Sequence, residues 1–280
     1  MEGVMEERLY NNKQYTIRVY ENPGITRWHL GNHFAFCNIE GSGDPYFTSP
    51  HVNILDENDA SRAYARLKIL LQLVSGIRVL HGKEKIISPK SLNYYNGYRY
   101  DTPSWEEDID IMFDELSNPF DSEVCEYYKD KKGYYSSEFD EDVINLLISD
   151  SLVREVIILL AMSQEEIVYF LVNTYKIIEN IKSDLSLGSN NSKLIKSKNS
   201  KDLPEFLLTS LNEIYQYSQY MNSRDASGIL SRHGVTKIPI PSKIPTLKEI
   251  KVSLTNAIND WLNYKCMTKF NRKYKNVGTQ

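Results

Sequence analysis

The chain has 280 residues, of which 41% are hydrophobic and 25% are charged, as in a globular protein with a core of its own. No apolar run reaches the roughly 18 residues that a transmembrane helix needs. The acidic N-terminus lacks the apolar stretch of a signal peptide. The three cysteines, Cys37, Cys125 and Cys266, lie far apart and form neither a CxxC pair nor a disulfide framework. These features favour a cytoplasmic protein.

The net charge of −4 conceals an uneven distribution along the chain. Residues 1–100 carry 12 basic and 10 acidic side chains, residues 101–142 carry 3 and 15, and residues 143–280 carry 18 and 12. An acidic middle segment of net charge −12 therefore precedes a last part of net charge +6. A basic domain in an acidic protein favours a polyanionic partner, although two solvated faces of opposite charge explain the same numbers equally well.

The first 100 residues mix strand-like and helix-like patterns, which predicts an α+β domain. A turn at Gly31-Asn32 is expected to join two of the strands as a hairpin. Residues 58–80 repeat their apolar positions with the period of a helix. Strands are predicted at residues 15–20, 28–30, 33–39 and 51–55, with two more near 86–87 and 94–100.

The remaining chain divides into an acidic connector, a helical bundle and a basic tail. Residues 101–142 contain prolines and many carboxylates, so we expect an exposed linker with at most short helices. From residue 143 to 265 amphipathic helices predict an all-α bundle. Within it, Ser163–Glu166 and Thr246–Glu249 match capping boxes that start helices, and the polar, lysine-bearing residues 186–201 predict a mobile loop. Residues 266–280 form the tail.

One polar stretch between two predicted helices carries the residue types that metal-independent RNA cleavage requires. It contains Arg224, Arg232 and His233 within residues 220–234. A histidine gains or loses a proton near neutral pH and can move protons at the 2′-hydroxyl and the leaving oxygen. An arginine holds a phosphate and neutralises its charge. No phosphate-binding glycine loop, dinucleotide fingerprint or histidine pair at metal-ligand spacing competes with this interpretation.

Residues 142–265 resemble the HEPN family, in which an Arg, often followed by Asn or Asp, precedes a His. Here Arg224-Asp225 begins that pattern and His233-Gly234 ends it. The segment Thr174-Tyr175-Lys176-Ile177-Ile178-Glu179-Asn180-Ile181, which follows Leu152-Val153-Arg154-Glu155-Val156, is similar to a Leu-Tyr-Lys-x-x-Glu-x-Ile helix of HEPN-like bacterial proteins. Eight residues separate Arg224 from His233, more than the four to six that are usual in the family.

The resemblance implies a helical bundle with metal-independent endoribonuclease activity, usually as a homodimer, acting in bacterial anti-phage defence or a toxin system. It implies no cofactor and no metal. Arg224 and His233 would be catalytic, on a single-stranded RNA substrate. The N-terminal domain would bind a protein partner or sense a trigger. Supporting roles would fall to Asp225, Arg232 and Glu179, and RNA contacts to Lys193, Lys196, Lys198 and Lys201.

Each of these assignments has a structural alternative. Arg224 and His233 fit a helix cap and a surface ion pair with Asp225, and Glu179 fits a helix-surface pair with Lys176 or Lys182. The four lysines fit a basic loop without a ligand. In the N-terminal domain, the core and rim of the sheet account for four further side chains, although a ligand-sensing pocket there is a second interpretation. These four are Trp28, His29, His33 and Tyr46.

Two other functions fit parts of the sequence. The long Arg–His spacing favours a catalytically inactive HEPN-like binding module in a larger complex. The carboxylates of residues 106–110 suggest instead a metal-dependent nuclease, since they are the ligands of hard cations. No lysine stands at a restriction-type spacing after them, which counts against this third interpretation.

Overall fold

The computed structural model describes residues 14–20, 24–38, 45–95, 100–190, 193–200, 202–234 and 237–274. As predicted, the fold is α+β, with a small antiparallel sheet in the N-terminal part and a mainly helical C-terminal half. The chain forms two compact units. Unit 1 comprises Met1–Ser75 and Ile86–Ser151, and unit 2 comprises Gly76–Lys85 and Leu152–Gln280. None of the helices in the described ranges has both the length and the apolar composition to cross a bilayer.

The strands and helices have the following bounds. The strands are β1 (Gln14–Arg18), β2 (Ala35–Asn38), β3 (Pro45–Thr48), β4 (Asn93–Tyr95), β5 (Tyr100–Asp101), β6 (Gly188–Asn190) and β7 (Lys193–Ile195). The helices are α1 (Pro50–Asn53), α2 (Ala60–Leu80), α3 (Ile109–Ser117), α4 (Ser122–Tyr128), α5 (Glu138–Ser149), α6 (Ser151–Met162), α7 (Ile167–Asp184), α8 (Glu205–Tyr215), α9 (Ser218–Asn222), α10 (Arg224–Ser227) and α11 (Leu247–Phe270). Short 3-10 turns cover Ile25–Arg27, Lys198–Ser200 and Gly228–Leu230.

Unit 1 contains a five-stranded antiparallel sheet in the order β2-β3-β1-β4-β5. In β1, Ile17 lies opposite Phe47 of β3 and Tyr15 lies opposite Tyr94 of β4. These four side chains are buried. The strand prediction for residues 15–20 is confirmed, because alternating β-branched and aromatic residues suit a strand whose side chains are buried. The helix prediction for residues 58–80 is also confirmed, as α2.

Three strand predictions in unit 1, at residues 28–30, 51–55 and 86–87, are wrong. Residues 51–55 lie in and after the short helix α1, because Ser49 caps its first turn and Pro50 stands where a helix tolerates proline. Only Ala35–Asn38 of the expected hairpin at residues 28–39 forms a strand. Leu30 instead makes an isolated antiparallel bridge to Tyr135. The segment at residues 86–87 is not part of a strand.

The acidic stretch at residues 101–142 is not an exposed connector. Its helices α3 and α4 and the start of α5 bury Phe120, Val124 and Phe139. Several of its acidic side chains act as helix caps: Asp108 accepts two backbone N–H groups of α3, and Asp121 accepts two of α4. The carboxylates that suggested a linker therefore stabilise short helices.

A buried ion pair joins α3 to α2 inside unit 1. Glu115 is only 1% exposed, and its carboxylate accepts hydrogen bonds from Arg66 Nε at 2.7 Å and from Arg66 Nη2 at 3.0 Å. Arg62 donates to the same carboxylate at 2.9 Å. The remaining terminal nitrogen of Arg66 donates to the carbonyl oxygen of His51 at 2.7 Å. This network fixes α1, α2 and α3 together, since a buried charge requires its full set of partners.

Unit 2 is mainly a helical bundle in which α8 packs against α11. Trp261 of α11 is fully buried and donates its indole N–H to Asp184 at 2.8 Å, while Lys265 pairs with the same carboxylate at 3.0 Å. The capping box at Thr246 and Glu249 is confirmed at the start of α11. The second predicted box is wrong, because α7 begins at Ile167 and the hydroxyl of Ser163 donates to a carbonyl at the end of α6.

The predicted mobile loop at residues 186–201 contains the β6–β7 hairpin. Leu194 is buried, and the side-chain amide of Asn212 on α8 both accepts its N–H at 2.7 Å and donates to its carbonyl at 3.2 Å. The amide thus continues the hydrogen bonding of a strand. Two buried leucines, Leu187 and Leu194, in an otherwise polar stretch are too weak a pattern to predict this hairpin from the sequence.

The buried ion pair yields a stability prediction. Replacing Glu115 by Ala leaves two guanidinium groups without their buried partner. We therefore expect the free energy of unfolding, measured by chemical denaturation, to fall by about 3–5 kcal/mol. Asp114→Ala is the matched control, because that neighbouring carboxylate is 62% exposed and pairs with Arg62 at 3.4 Å. The control substitution should lower the free energy of unfolding by less than about 1 kcal/mol. Equal effects of the two substitutions would contradict the assigned role of Glu115.

Candidate functional site

The polar segment nominated by the sequence, residues 222–234, forms a closed loop in unit 2. It leaves the end of α9, passes through α10 and the 3-10 turn, and returns so that the N–H of Arg232 donates to the carbonyl of Met221 at 2.9 Å. The buried hydroxyl of Ser223 donates to Ile238 at 3.0 Å and fastens the following chain. Ser227 donates back to the Ser223 carbonyl at 3.0 Å. These bonds give the loop a defined conformation.

The four predicted residues of this loop occupy different environments. Arg224 begins α10 and is exposed, as is Asp225. The guanidinium carbon of Arg232 lies 4.0 Å from the ring centroid of Tyr175 on α7, a cation–π contact. His233 is half-buried, and its backbone N–H donates to the Ser231 hydroxyl at 3.3 Å. Within the described part of the chain, no hydrogen bond joins the side chains of Arg224 and His233, and no ion pair joins Arg224 to Asp225.

Two of the supporting and RNA-binding candidates, Glu179 and Lys196, are engaged by other groups. Glu179 pairs with Lys182 at 3.4 Å, which is the structural alternative expected for a helix surface. Lys196 donates to the carbonyl of Leu203 at 2.5 Å and lies 3.6 Å from the carboxylate of Glu205. Lys193 and Lys198 are exposed. Lys201 lies outside the described residues.

The acidic residues 106–110 do not form a metal centre. Asp108 caps α3 through its side chain, and Glu107 pairs with Lys90 at 2.9 Å and with Lys68 at 3.7 Å. In the ranges covered by the structure, no three His, Cys, Asp or Glu side chains are placed to hold a metal ion together. The interpretation of this stretch as a cation site therefore lacks structural support.

Unit 1 contains a cavity of about 480 Å³, and its lining includes His33 but not Trp28, His29 or Tyr46, the other three side chains for which a ligand-sensing pocket was the second interpretation. Helix α4, the chain that follows it, helix α5 and the turn at Asn32 supply its walls. The lining mixes aromatic, basic and acidic side chains with one buried imidazole, that of His33. Its charged and aromatic members are Phe120, Glu126, Tyr128, Lys129, Lys131, Lys132, Tyr135 and Glu141.

His33 belongs to a buried pair of stacked imidazoles. Its Nδ1 lies 2.9 Å from Nε2 of His51, and the ring planes are 11° apart. The other nitrogen of His51, Nδ1, accepts the backbone N–H of Asp121 at 2.9 Å. His33 and His51 are 6% and 0% exposed. The hydroxyl of Ser49 donates to the His33 carbonyl at 2.8 Å and holds this part of the backbone.

The hydrogen bonds assign the tautomers of both rings. Burial lowers the pKa of His33 to about 4, and burial together with the nearby His33 and Arg66 lowers the pKa of His51 well below its usual value. Both rings are therefore neutral at pH 7. Because Nδ1 of His51 accepts from Asp121, its proton resides on Nε2 and is donated to Nδ1 of His33. The proton of His33 must then reside on its own Nε2.

The sequence contains one local signal that bears on this pair. Ser49-Pro50 is a helix-start signature, which favours the helix α1 over the strand expected at residues 51–55. The partners of His51 could not have been identified in this way, since Asp121 is 70 residues away.

The depressed pKa values predict how stability changes with pH. A histidine whose folded pKa lies below its unfolded value of 6.5 leaves the protein most stable above pH 6.5. That stability is lost as the pH falls towards 4, because the unfolded chain takes up the proton first. For His33 the loss amounts to about 3 kcal/mol.

His33→Asn keeps an acceptor for His51 but removes the titrating ring. We therefore expect the free energy of unfolding to fall less between pH 7 and pH 4.5 in this variant than in the wild type. The measurement is urea denaturation at a series of pH values. His233→Asn serves as the control for removal of a histidine outside the pair. A slope unchanged by His33→Asn would show that the pair titrates normally.

Comparison with protein-family models gave no match. Comparisons with curated proteins and with solved structures gave no significant match either. The function of the chain must therefore be argued from its own residues.

Proposed function

We propose that unit 2 is a metal-independent endoribonuclease of HEPN type that cuts single-stranded RNA, with Arg224 and His233 as catalytic residues. The observation that carries this proposal is the closure of the 222–234 loop. The bond from Arg232 N–H to the Met221 carbonyl, 2.9 Å long, brings the residue preceding His233 back to the end of α9. Arg224 begins α10 close to this point in the chain. This closure supports the proposal, because it returns the chain next to His233 towards the start of the loop despite the long spacing in sequence.

The availability of the charged groups also supports the proposal. Arg224 is exposed and has no ion-pair partner among the described residues, so its guanidinium is free to bind a phosphate. Arg232 contacts the ring of Tyr175, and this contact suits a role for Arg232 in positioning its neighbour His233. Lys193 and Lys198 are exposed and add positive charge for an RNA backbone, whereas Lys196 is engaged by Leu203 and Glu205.

In the proposed reaction the 2′-oxygen attacks the adjacent phosphorus and the P–O5′ bond breaks. The products carry a 2′,3′-cyclic phosphate and a 5′-hydroxyl. One group takes the proton of the 2′-hydroxyl, another gives a proton to O5′, and Arg224 neutralises the charge on the phosphorus oxygens. One His233 supplies one of the two proton transfers. A homodimer that places two copies at one site supplies both, which accords with the preference of proteins for two-fold assembly.

In this account unit 1 receives the trigger or partner that controls cleavage, and the setting is bacterial anti-phage defence or a toxin system. A specific observation also favours a second function, that of an inactive binding module. The side chains of Arg224 and His233 share no hydrogen bond in the described chain, and Arg232 is occupied by Tyr175. A loop of this kind could hold RNA without cutting it.

A cleavage assay in EDTA separates these functions. The purified chain is incubated with single-stranded RNA beside Arg224→Ala and His233→Ala. We expect the wild type to cut and each variant to lose about 100-fold or more of the rate, because proton transfer and charge neutralisation each contribute at that scale.

Two matched controls test whether the loss is specific. Lys251→Ala removes an exposed positive charge from α11, and His29→Ala removes an exposed histidine from unit 1. Both should retain the wild-type rate. An inert wild type, or catalytic-site variants that cut as fast as the controls, would favour the binding module. Cleavage that disappears in EDTA would contradict the metal-independent mechanism.

A further inference from the structure

We propose that the cavity of unit 1 is a binding site for a small organic oxyanion, a carboxylate or a phosphate ester, which accepts a hydrogen bond from Nε2–H of His33. The proposal concerns unit 1 alone and does not depend on the ribonuclease activity proposed for unit 2. It gives a chemical identity to the trigger that the N-terminal part of the chain would sense.

The first argument is an unpartnered donor. The pair with His51 uses Nδ1 of His33 and leaves the proton on Nε2. No acceptor among the described residues takes that proton, although the side chain is 94% buried. The ring of His33 is among the side chains that line the cavity. A nearly buried N–H favours an incoming acceptor, because unmet hydrogen bonds in such places are costly.

The second argument is charge. Three lysines and two glutamates line the cavity, so its walls carry a net charge of +1. Lys129 is paired with Glu126 at 3.3 Å, and Lys131 lies 3.5 Å above the ring of Tyr127. Lys132 has no ion-pair partner among the described residues and is available to a ligand. A neutral imidazole that only donates, together with an unpaired lysine, selects an anion over a cation.

The third argument is size and rigidity. A volume of about 480 Å³ falls within the range of small-molecule sites and is too small for a polymer. Phe120 and Tyr128 add aromatic surface for the organic part of the ligand. Tyr135 lies against the backbone of Gly31 and Gly133, where any larger residue would collide with its ring. The walls are thus formed before a ligand arrives, which lowers the cost of binding.

The experiment is isothermal titration at pH 7 with four probes at millimolar concentration. AMP and 4-hydroxybenzoate represent the phosphate and carboxylate sources, and adenosine and phenol are their uncharged counterparts. We expect at least one anion to bind and its uncharged counterpart to bind more weakly. The anion that binds identifies the source of the oxyanion group.

Two substitutions of His33 provide a matched pair. His33→Asn keeps an acceptor where Nδ1 lies but removes the donor at Nε2, so it should weaken anion binding about 10- to 100-fold. His33→Gln keeps a donor near the Nε2 position and should bind within a few-fold of the wild type. Because His33→Gln also removes the acceptor for Nε2–H of His51, the thermal unfolding temperature of both variants is measured beside binding, which separates loss of the donor from loss of folding. Lys132→Gln changes an exposed position. It should weaken binding of the anion but not of its uncharged counterpart, and it should leave the thermal unfolding temperature unchanged.

Three outcomes overturn the proposal. The first is that neither anion binds the folded wild-type chain. The second is that the uncharged probes bind as tightly as the anions. The third is that His33→Asn and Lys132→Gln both bind the anion as tightly as the wild type does. None of these results bears on RNA cleavage in EDTA, so failure of this site and failure of the ribonuclease proposal are distinguishable.

Discussion

The carboxylate of Glu115 has almost no contact with solvent, and this constraint organises unit 1. It is stable there only with the guanidinium groups of Arg66 and Arg62 around it, which fixes α3 against α2. Arg66 also holds the carbonyl of His51 and so positions α1. His51 in turn links the N–H of Asp121 to the ring of His33. A continuous series of hydrogen bonds therefore runs from a buried charge to the wall of the cavity.

Unit 2 presents its polar groups differently. Its core is apolar where α8 meets α11, and most of its predicted site residues lie in the 222–234 loop and in or near the β6–β7 hairpin. Backbone bonds give the loop its shape, so Arg224 is not needed to hold the fold and remains available to a ligand. The two units thus offer two candidate sites: a partly open cavity, which we propose binds a small anion, and an exposed loop with two arginines, which we propose binds RNA.

The elements that were predicted correctly are those whose signal is local. The apolar period of α2, the alternation of β1 and the capping box at Thr246 all arise from residues a few positions apart. The features that were missed depend on distant partners. The carboxylate of Glu115 meets Arg66 across 49 residues, and the β6–β7 hairpin depends on Asn212 of another helix. Arg224 and His233 are predicted from their residue types and from the resemblance to a family motif whose usual spacing they exceed, and the bond that returns the loop to Met221 has no local signal in the sequence.

The chemical ends of cleaved RNA are the most direct test of the proposed ribonuclease reaction, because they report which oxygen attacked the phosphorus. An RNA and its fully 2′-O-methylated counterpart are treated with the purified chain in EDTA, and the fragments are weighed by mass spectrometry. The account predicts 2′,3′-cyclic phosphate and 5′-hydroxyl ends from the RNA and no cleavage of the methylated strand. Fragments with 5′-phosphate ends, or cleavage of the methylated strand, would contradict it.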